Sequence, residues 1–192
     1  AINPLLSLCD SEVYSIPLIL LIGWRGEPGL RDEPQHIKQG RKQLELLESI
    51  DIPYEIISKN DSSFNNKVIK SLHKSKKTHS PVAILVKKNT FDYYNEVQPP
   101  IDNSLISREE ALEALLKIIP KNSIIVSTTG KTSREIFEIR ERTKKSHEQD
   151  FLTVGSMGHC SSIALGIAIS KPNKKIICID GDGSLLMHMG SL

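Results

Sequence analysis

The sequence is short of cysteine, of long apolar runs and of an excess charge of either sign. Its three cysteines, Cys9, Cys160 and Cys178, are odd in number and without C-x-x-C spacing. That argues against a disulfide scaffold and a thiolate zinc site, and makes a reducing cytoplasm the default compartment. The longest apolar run, residues 16–22, contains Pro17 and is far short of the ~20 residues a membrane helix needs. Lys and Arg number 25 against 23 Asp and Glu, spread over both halves. Composition therefore gives no support to a nucleic-acid or anionic-membrane partner. With 192 residues, 39% hydrophobic and 25% charged, the chain suits one large domain or two small ones with ordinary cores. It begins at Ala1-Ile2-Asn3-Pro4 without an initiator Met and stops at Gly190-Ser191-Leu192 inside what reads as a helix, so a fragment of a longer protein is expected.

Residues 18–22 read as a buried strand at the centre of an α/β sheet. The nine residues 26–34, GEPGLRDEP, are turn chemistry, and loops of that length often bind something. Ile37, Leu44, Leu47 and Ile50 then recur near helical spacing, which predicts a helix over 35–49. A short strand at 54–57 follows, then a basic helix over 62–74 with Asp61 or Ser62 as N-cap. A second buried strand is expected at 81–86. The polar stretch 87–103, with Pro99-Pro100 and little apolar pattern, reads as a linker.

Ser107 with Glu110 three residues on is a capping box for a helix to about residue 119. Beyond it, strands at 123–127 and 175–180 and helices at 131–142 and 158–170 give a βαβ rhythm. The fold class expected is α/β, with two mainly parallel units, both incomplete in this chain. In such sheets ligands bind at the carboxyl ends of the strands.

Three glycine-bearing segments sit at those ends: Thr128-Thr129-Gly130-Lys131, Gly155-Ser156-Met157-Gly158 and Gly181-Asp182-Gly183-Ser184. Glycine lets backbone N–H groups approach an anion closely, and a helix N-terminus adds partial positive charge, so these junctions suit a diphosphate. Asp182 would repel phosphate unless a divalent cation lay between them, which suggests Mg²⁺. Competing motifs fail on spacing. Leu186 stands where a dinucleotide-binding turn needs its third glycine, and Gly130-Lys131-Thr132 lacks the earlier glycine of a P-loop. An EF-hand starting at Asp180 would need Gly at position 185 and Glu at 191, where the chain has Leu185 and Ser191.

An apolar strand running into Gly181-Asp182-Gly183-Ser184, with Gly155-Ser156-Met157-Gly158 upstream, resembles the signature of thiamine diphosphate enzymes. The runs LIGWRGEPGLRDEPQHIKQGR, TTGKTSREIFEIRE and DGDGSLLMHMGSL together resemble the phosphonopyruvate decarboxylase family, close to sulfopyruvate decarboxylase, over nearly the whole chain. The resemblance implies that residues 1–97 are the later part of a pyrimidine-binding domain, 98–103 a linker, and 104–192 the first part of a diphosphate-binding domain. It implies thiamine diphosphate and Mg²⁺ as cofactors, with Asp182 as metal ligand and Met157 as the wedge between the cofactor's rings. Thr129, Gly130, Lys131, Gly155, Ser156, Gly181, Gly183 and Ser184 complete the expected cofactor contacts.

The family's activating glutamate and its second metal ligand, an asparagine, match no residue here. No catalytic residue is assigned, and this chain alone is expected to be inactive. The implied reaction is decarboxylation of 3-phosphonopyruvate to phosphonoacetaldehyde and CO₂ in phosphonate biosynthesis. The alternatives are sulfopyruvate decarboxylation or a non-catalytic partner subunit. A substrate with two anionic ends needs cationic donors. Arg25 and His36 are the first candidates, with Arg31 and Lys38 beside them, although Arg25 could instead cap its loop through Glu27 or Asp32. Met157 could equally be core, Asp182 a plain helix cap, Lys131 the partner of a surface acid, and His159 and His188 ordinary partly buried histidines. The family further implies a homo-oligomer with active sites at subunit interfaces.

Overall fold

The computed structural model describes residues 2–94 and 105–192, and the chain divides into two compact units, Ala1–Val97 and Gln98–Leu192. The expected linker at 98–103 lies outside the described residues. Both units are parallel α/β arrangements, in agreement with the fold class read from the alternation of apolar strands and amphipathic helices.

In the first unit, α1 (Ile2–Ser7) precedes β1 (Leu18–Gly23), α2 (Pro34–Ser49), β2 (Tyr54–Ile57), α3 (Phe64–Thr78) and β3 (Pro81–Val86). The sheet order is β1-β3-β2, with Gly23 opposite Val86 and Ile57 opposite Val86 at the carboxyl ends. The five residues Pro81 to Leu85 are buried, so β3 holds the centre. The expectation that 18–22 would be central is corrected: among the described residues β1 pairs with β3 alone, and Leu21 is 65% exposed. An unbroken apolar run cannot distinguish a central strand from an edge strand beneath helices. Leu47, Ile52, Ala83 and Leu85 form the core, with Leu20, Ile22, Trp24 and Leu44 against it.

Two local expectations in this unit also change. The N-cap of α3 is Ser63 rather than Asp61 or Ser62, because the Asp61 carboxylate accepts hydrogen bonds from the Ser63 N–H and hydroxyl. The helix runs past residue 74 to Thr78, where His79 turns left-handed at φ +48°. Residues 87–94 are not linker: the Lys87 N–H donates to the Ile57 carbonyl, Lys59 pairs with Asp92, and Phe91 meets Phe64 edge-on.

The second unit runs α4 (Arg108–Ile118), β4 (Ser123–Ser127), α5 (Lys131–Arg142), β5 (Asp150–Leu152), α6 (Cys160–Ser170), β6 (Lys175–Ile179) and α7 (Asp182–Met187), followed by a 3-10 turn, Met189–Ser191. The capping box is present: Ser107 Oγ accepts from the Glu110 N–H, and the Glu110 carboxylate accepts from the Ser107 N–H. Strand order is β5-β4-β6, so β6, expected to be buried, is an edge among the described residues. Leu112, Leu116, Ile125, Ile136 and Ile139 pack one face of this sheet. Val126, Cys160 and Ala164 pack a second cluster with Ile124, Ile163 and Ile176. Helix α6 begins at Cys160 rather than 158, because Gly155, Ser156 and Gly158 all adopt positive φ and cannot enter a right-handed helix.

Candidate functional site

Each of the three parallel strands of the second unit ends in one of the glycine-bearing segments. Because β4 lies between β5 and β6, the segments become neighbours, and one buried atom joins them. Ser184 Oγ accepts a hydrogen bond from the Gly158 N–H at 2.9 Å and from the Thr128 hydroxyl at 3.0 Å. Thr129 Oγ1 accepts from the Gly155 N–H at 2.8 Å. Ser184 and Thr128 are 4% exposed. The tie between Thr128 and Ser184 was not visible in sequence, since the two lie 56 residues apart.

Around this joint, Gly130 caps α5 with φ +100°, in open space. Lys131 follows as the first residue of α5, exposed and without an ion pair among the described residues. The Arg108 guanidinium, aided by the Lys131 charge, holds the Glu135 carboxyl below its usual value. Gly155, Ser156 and Gly158 have φ of +80°, +49° and +92°, which lifts Met157 out of the core to 45% exposure. A Cβ on Gly158 would come within 2.9 Å of Met187 Cβ and 3.0 Å of His188 Nδ1, so this turn fits closely against α7. His159 and His188 meet edge-on and lie at hydrogen-bond distance from the Ser156 and Gly158 carbonyls, respectively. Beneath the turn, the Cys160 and Cys178 sulfurs are 3.5 Å apart as free thiols, and burial pushes the Cys160 thiol far up.

Asp182 is the first residue of α7, exposed, with no hydrogen bond or ion pair among the described residues. Its neighbour Asp180, not singled out by sequence, accepts from the Gly181 N–H through Oδ1. Asp180 Oδ2 is buried without a partner among the described residues. Gly181 and Gly183 have room around them. Among the described residues no group of three or more His, Cys, Asp or Glu forms a metal cluster. The exposed Asp182 carboxylate and the unpartnered Asp180 Oδ2 fit a hard cation held by one or two carboxylates plus water and phosphate oxygens, as Mg²⁺ commonly is. Gly130 at the N-terminus of α5 and the exposed Lys131 beside it fit a diphosphate, while the Gly155 and Gly158 N–H groups are engaged by Thr129 Oγ1 and Ser184 Oγ.

Arg25 and His36 lie in the first unit, in and after the loop that follows β1. Both converge on Asp32, which accepts from Arg25 Nε and Nη2 and from the Gly26 and Glu33 N–H groups. His36 Nδ1 is 3.1 Å from Asp32 Oδ1 and 2.9 Å from Arg25 Nη2. The Arg25 guanidinium, with those N–H donors, holds the Asp32 carboxyl far below the usual carboxylate range. Of the two loop-capping partners foreseen for Arg25, the structure selects Asp32. The loop is fixed to α2: Trp24 Nε1 donates to the Gly40 carbonyl at 2.9 Å. A Cβ on Gly40 would lie 2.0 Å from the Gly26 carbonyl oxygen. At the carboxyl ends of β1 and β3 opens a cavity of about 360 Å³ whose lining includes Arg25, Glu27, Arg31, Asp32, Lys87 and Lys88. Lys87 and Lys88 were missed in sequence, although the carboxyl-end rule applied after 81–86 would have pointed to both, and Glu27 was foreseen only as a loop cap for Arg25.

Residues 128–192 match the family model described as "Thiamine pyrophosphate enzyme, C-terminal TPP binding domain". Those residues make up most of the second unit, which is thus similar to the thiamine pyrophosphate-binding domains. Over 99% of its length the chain is 32% identical to a phosphonopyruvate decarboxylase of Streptomyces viridochromogenes and to one of Streptomyces hygroscopicus, covering 50% and 49% of those proteins. It is 44% identical to the sulfopyruvate decarboxylase subunit beta of Methanococcus maripaludis over 45% of this chain and 43% of that one. The chain resembles the phosphonopyruvate decarboxylases and spans about half the length of the curated relatives it matches. Among the described residues no helix is long and apolar enough to cross a membrane.

Proposed function

We propose that this chain is the central part of a thiamine diphosphate- and Mg²⁺-dependent decarboxylase that converts 3-phosphonopyruvate to phosphonoacetaldehyde and CO₂. The observation that carries the reading is the junction of three strand-end segments through Ser184 Oγ, with Asp182 free and exposed beside it. Residues 104–192 are then the first part of the diphosphate-binding domain and 1–97 the later part of the pyrimidine-binding domain. The assembly is a homo-oligomer in the cytoplasm, a compartment that suits three free thiols.

In this reading Asp182 would hold Mg²⁺ through its carboxylate, and the ion would supply the positive charge that lets a carboxylate stand beside a diphosphate. The turns at Gly130, Gly155, Gly181 and Gly183 would border the phosphate oxygens, with the Gly155 and Gly181 N–H groups engaged by Thr129 Oγ1 and Asp180 Oδ1, and Lys131 would add a point charge. Thr129 and Ser184 hold the segments in place from below; Ser156 and Gly158 set the turn that presents Met157 to the cofactor's rings. Bound there, the cofactor supplies the electron sink for the departing carboxylate. Arg25 and His36 offer hydrogen-bonding groups to the substrate from their places on Asp32, which fixes the orientation of both.

The test is aldehyde formation by the intact gene product from phosphonopyruvate, sulfopyruvate and pyruvate, with and without thiamine diphosphate and Mg²⁺. Turnover of phosphonopyruvate that disappears without either cofactor, and on Asp182→Ala, is expected. Preference for sulfopyruvate would move the assignment to that activity. Absence of turnover with all three would support a partner subunit, as the match to a sulfopyruvate decarboxylase beta subunit allows.

A further inference from the structure

The cavity of the first unit contains six charged side chains, and their pairing leaves a particular remainder. Asp32 is fully engaged by Arg25, His36 and two backbone N–H groups. Glu27, 9% exposed, uses Oε1 to pair with Lys87 Nζ at 2.8 Å. Its Oε2 is buried and has no hydrogen-bond partner among the described residues. Arg31 and Lys88 make no ion pair or hydrogen bond among the described residues. The pocket therefore offers two uncommitted cations and one uncommitted, desolvated carboxylate oxygen.

A fully deprotonated anion would satisfy the cations and be repelled by Glu27. A ligand that answers both must carry anionic oxygens and an O–H on the same head group. We infer that Glu27 Oε2 accepts the remaining O–H of a phosphonate monoanion while Arg31 and Lys88 bind its charged oxygens, so that the pocket takes phosphonates and rejects sulfonates. Phosphonates, like phosphate monoesters with a second pKa of about 6, retain such a proton near neutral pH. A sulfonate has lost its only proton and leaves Oε2 without a donor. A buried acceptor discriminates strongly against a ligand that lacks the matching hydrogen. This inference rests on the proposed decarboxylase reading for its substrate class and adds the residue that would separate the two sister activities.

The groups facing Glu27 are Lys87 and Lys88 from the loop after β3, and Arg25, Arg31 and Asp32 from the loop after β1, with His36 behind Asp32. The proton on the ligand, with a second pKa of about 6, is the one whose loss the pH series follows. The experiment is calorimetric titration of the full-length protein with phosphonoacetate and with sulfoacetate from pH 6 to 8. The wild type should prefer phosphonoacetate by about tenfold or more at pH 6, with the preference falling as pH rises. Glu27→Gln should reduce the ratio to about twofold and flatten or invert the profile, since an amide donates to the dianion. Lys88→Met, at an exposed unpaired side chain, should weaken both probes and leave their ratio intact.

Equal binding of the two probes by the wild type overturns the inference, as does a preference for sulfoacetate. So does a Glu27→Gln protein that keeps the preference, or a Lys88→Met protein that binds both probes unchanged. If the intact enzyme turns over phosphonopyruvate while Glu27→Gln keeps the preference, the inference falls and the proposed function stands. If no oxo acid is turned over while the Glu27-dependent preference remains, the pocket assignment stands and the decarboxylase reading falls.

Discussion

Ser184→Ala is the sharpest perturbation of the candidate cofactor site, because it removes one atom and leaves two donors behind. The N–H of buried Gly158 loses its acceptor at 2.9 Å, and the Thr128 hydroxyl loses its own at 3.0 Å. An orphaned buried donor costs about 1–3 kcal/mol. The Thr128 hydroxyl can rotate, so the N–H dominates. Alanine in place of serine returns at most about 0.5 kcal/mol through helix propensity in α7. The expected net loss is about 1–2.5 kcal/mol, read as a lower urea midpoint at unchanged slope. In a chain of this size each kcal/mol lowers Tm by roughly 2–4 °C. Amide exchange at Gly158 should accelerate in step with the loss. A Ser184→Ala protein as stable as wild type, with Gly158 exchange unchanged, would refute the argument that this hydroxyl joins the three segments.

Three further outcomes are expected. Gly40→Ala ordinarily gains about 1 kcal/mol inside a helix, but its Cβ would meet the Gly26 carbonyl oxygen at 2.0 Å. The substitution should instead destabilise by about 1–3 kcal/mol, and a raised Tm would contradict this. Arg140→Met strips the bidentate partner, at 2.9 Å, from Asp150, whose side chain is fully buried. A loss of about 3–5 kcal/mol should follow in equilibrium unfolding, most of it recovered by adding Asp150→Leu. Lys67 and Ser63 hold the Asp61 carboxyl down at about 2, against an ordinary 3.8. Its contribution is therefore present above pH ~4 and lost as pH falls through 2. Asp61→Asn should flatten that part of the acid stability profile, and an unaltered slope between pH 4 and 2 would count against the pairing.

Strands β2, β3 and β4 and helix α5 were legible to the residue, because their apolar runs or periodic faces are bounded by turn and capping residues. The three-residue strand β5 (Asp150–Leu152) was not: it is too short to show a period, and it opens on a charge whose burial depends on Arg140. The edge places of β1 and β6 among the described residues were equally hidden, since pairing partners leave no mark on an apolar run. At the candidate site, glycine spacing disclosed the three strand-end segments, but not the atom that joins them. The Thr128–Ser184 contact links residues with no local relation, and the alternative partners for Arg25 could be separated only by geometry. Lys87 and Lys88 were read as linker because polar residues after a strand look alike whether they leave a domain or line its cavity.

The fastening of the loop after β1 bears on how quickly a ligand can enter. Trp24 is tied to Gly40, the Gly26 backbone rests against α2, and Asp32 holds both ends of the turn. The wall bearing Glu27 and Arg31 is thus set before any ligand arrives, and association requires no loop closure. Entry of a small anion should then be a single-phase process governed by diffusion and by the field of the pocket's cations. Its rate constant should fall with ionic strength while the rate of departure stays nearly constant. A stopped-flow trace with a second, concentration-independent phase would identify a moving wall where the structure has a fixed one.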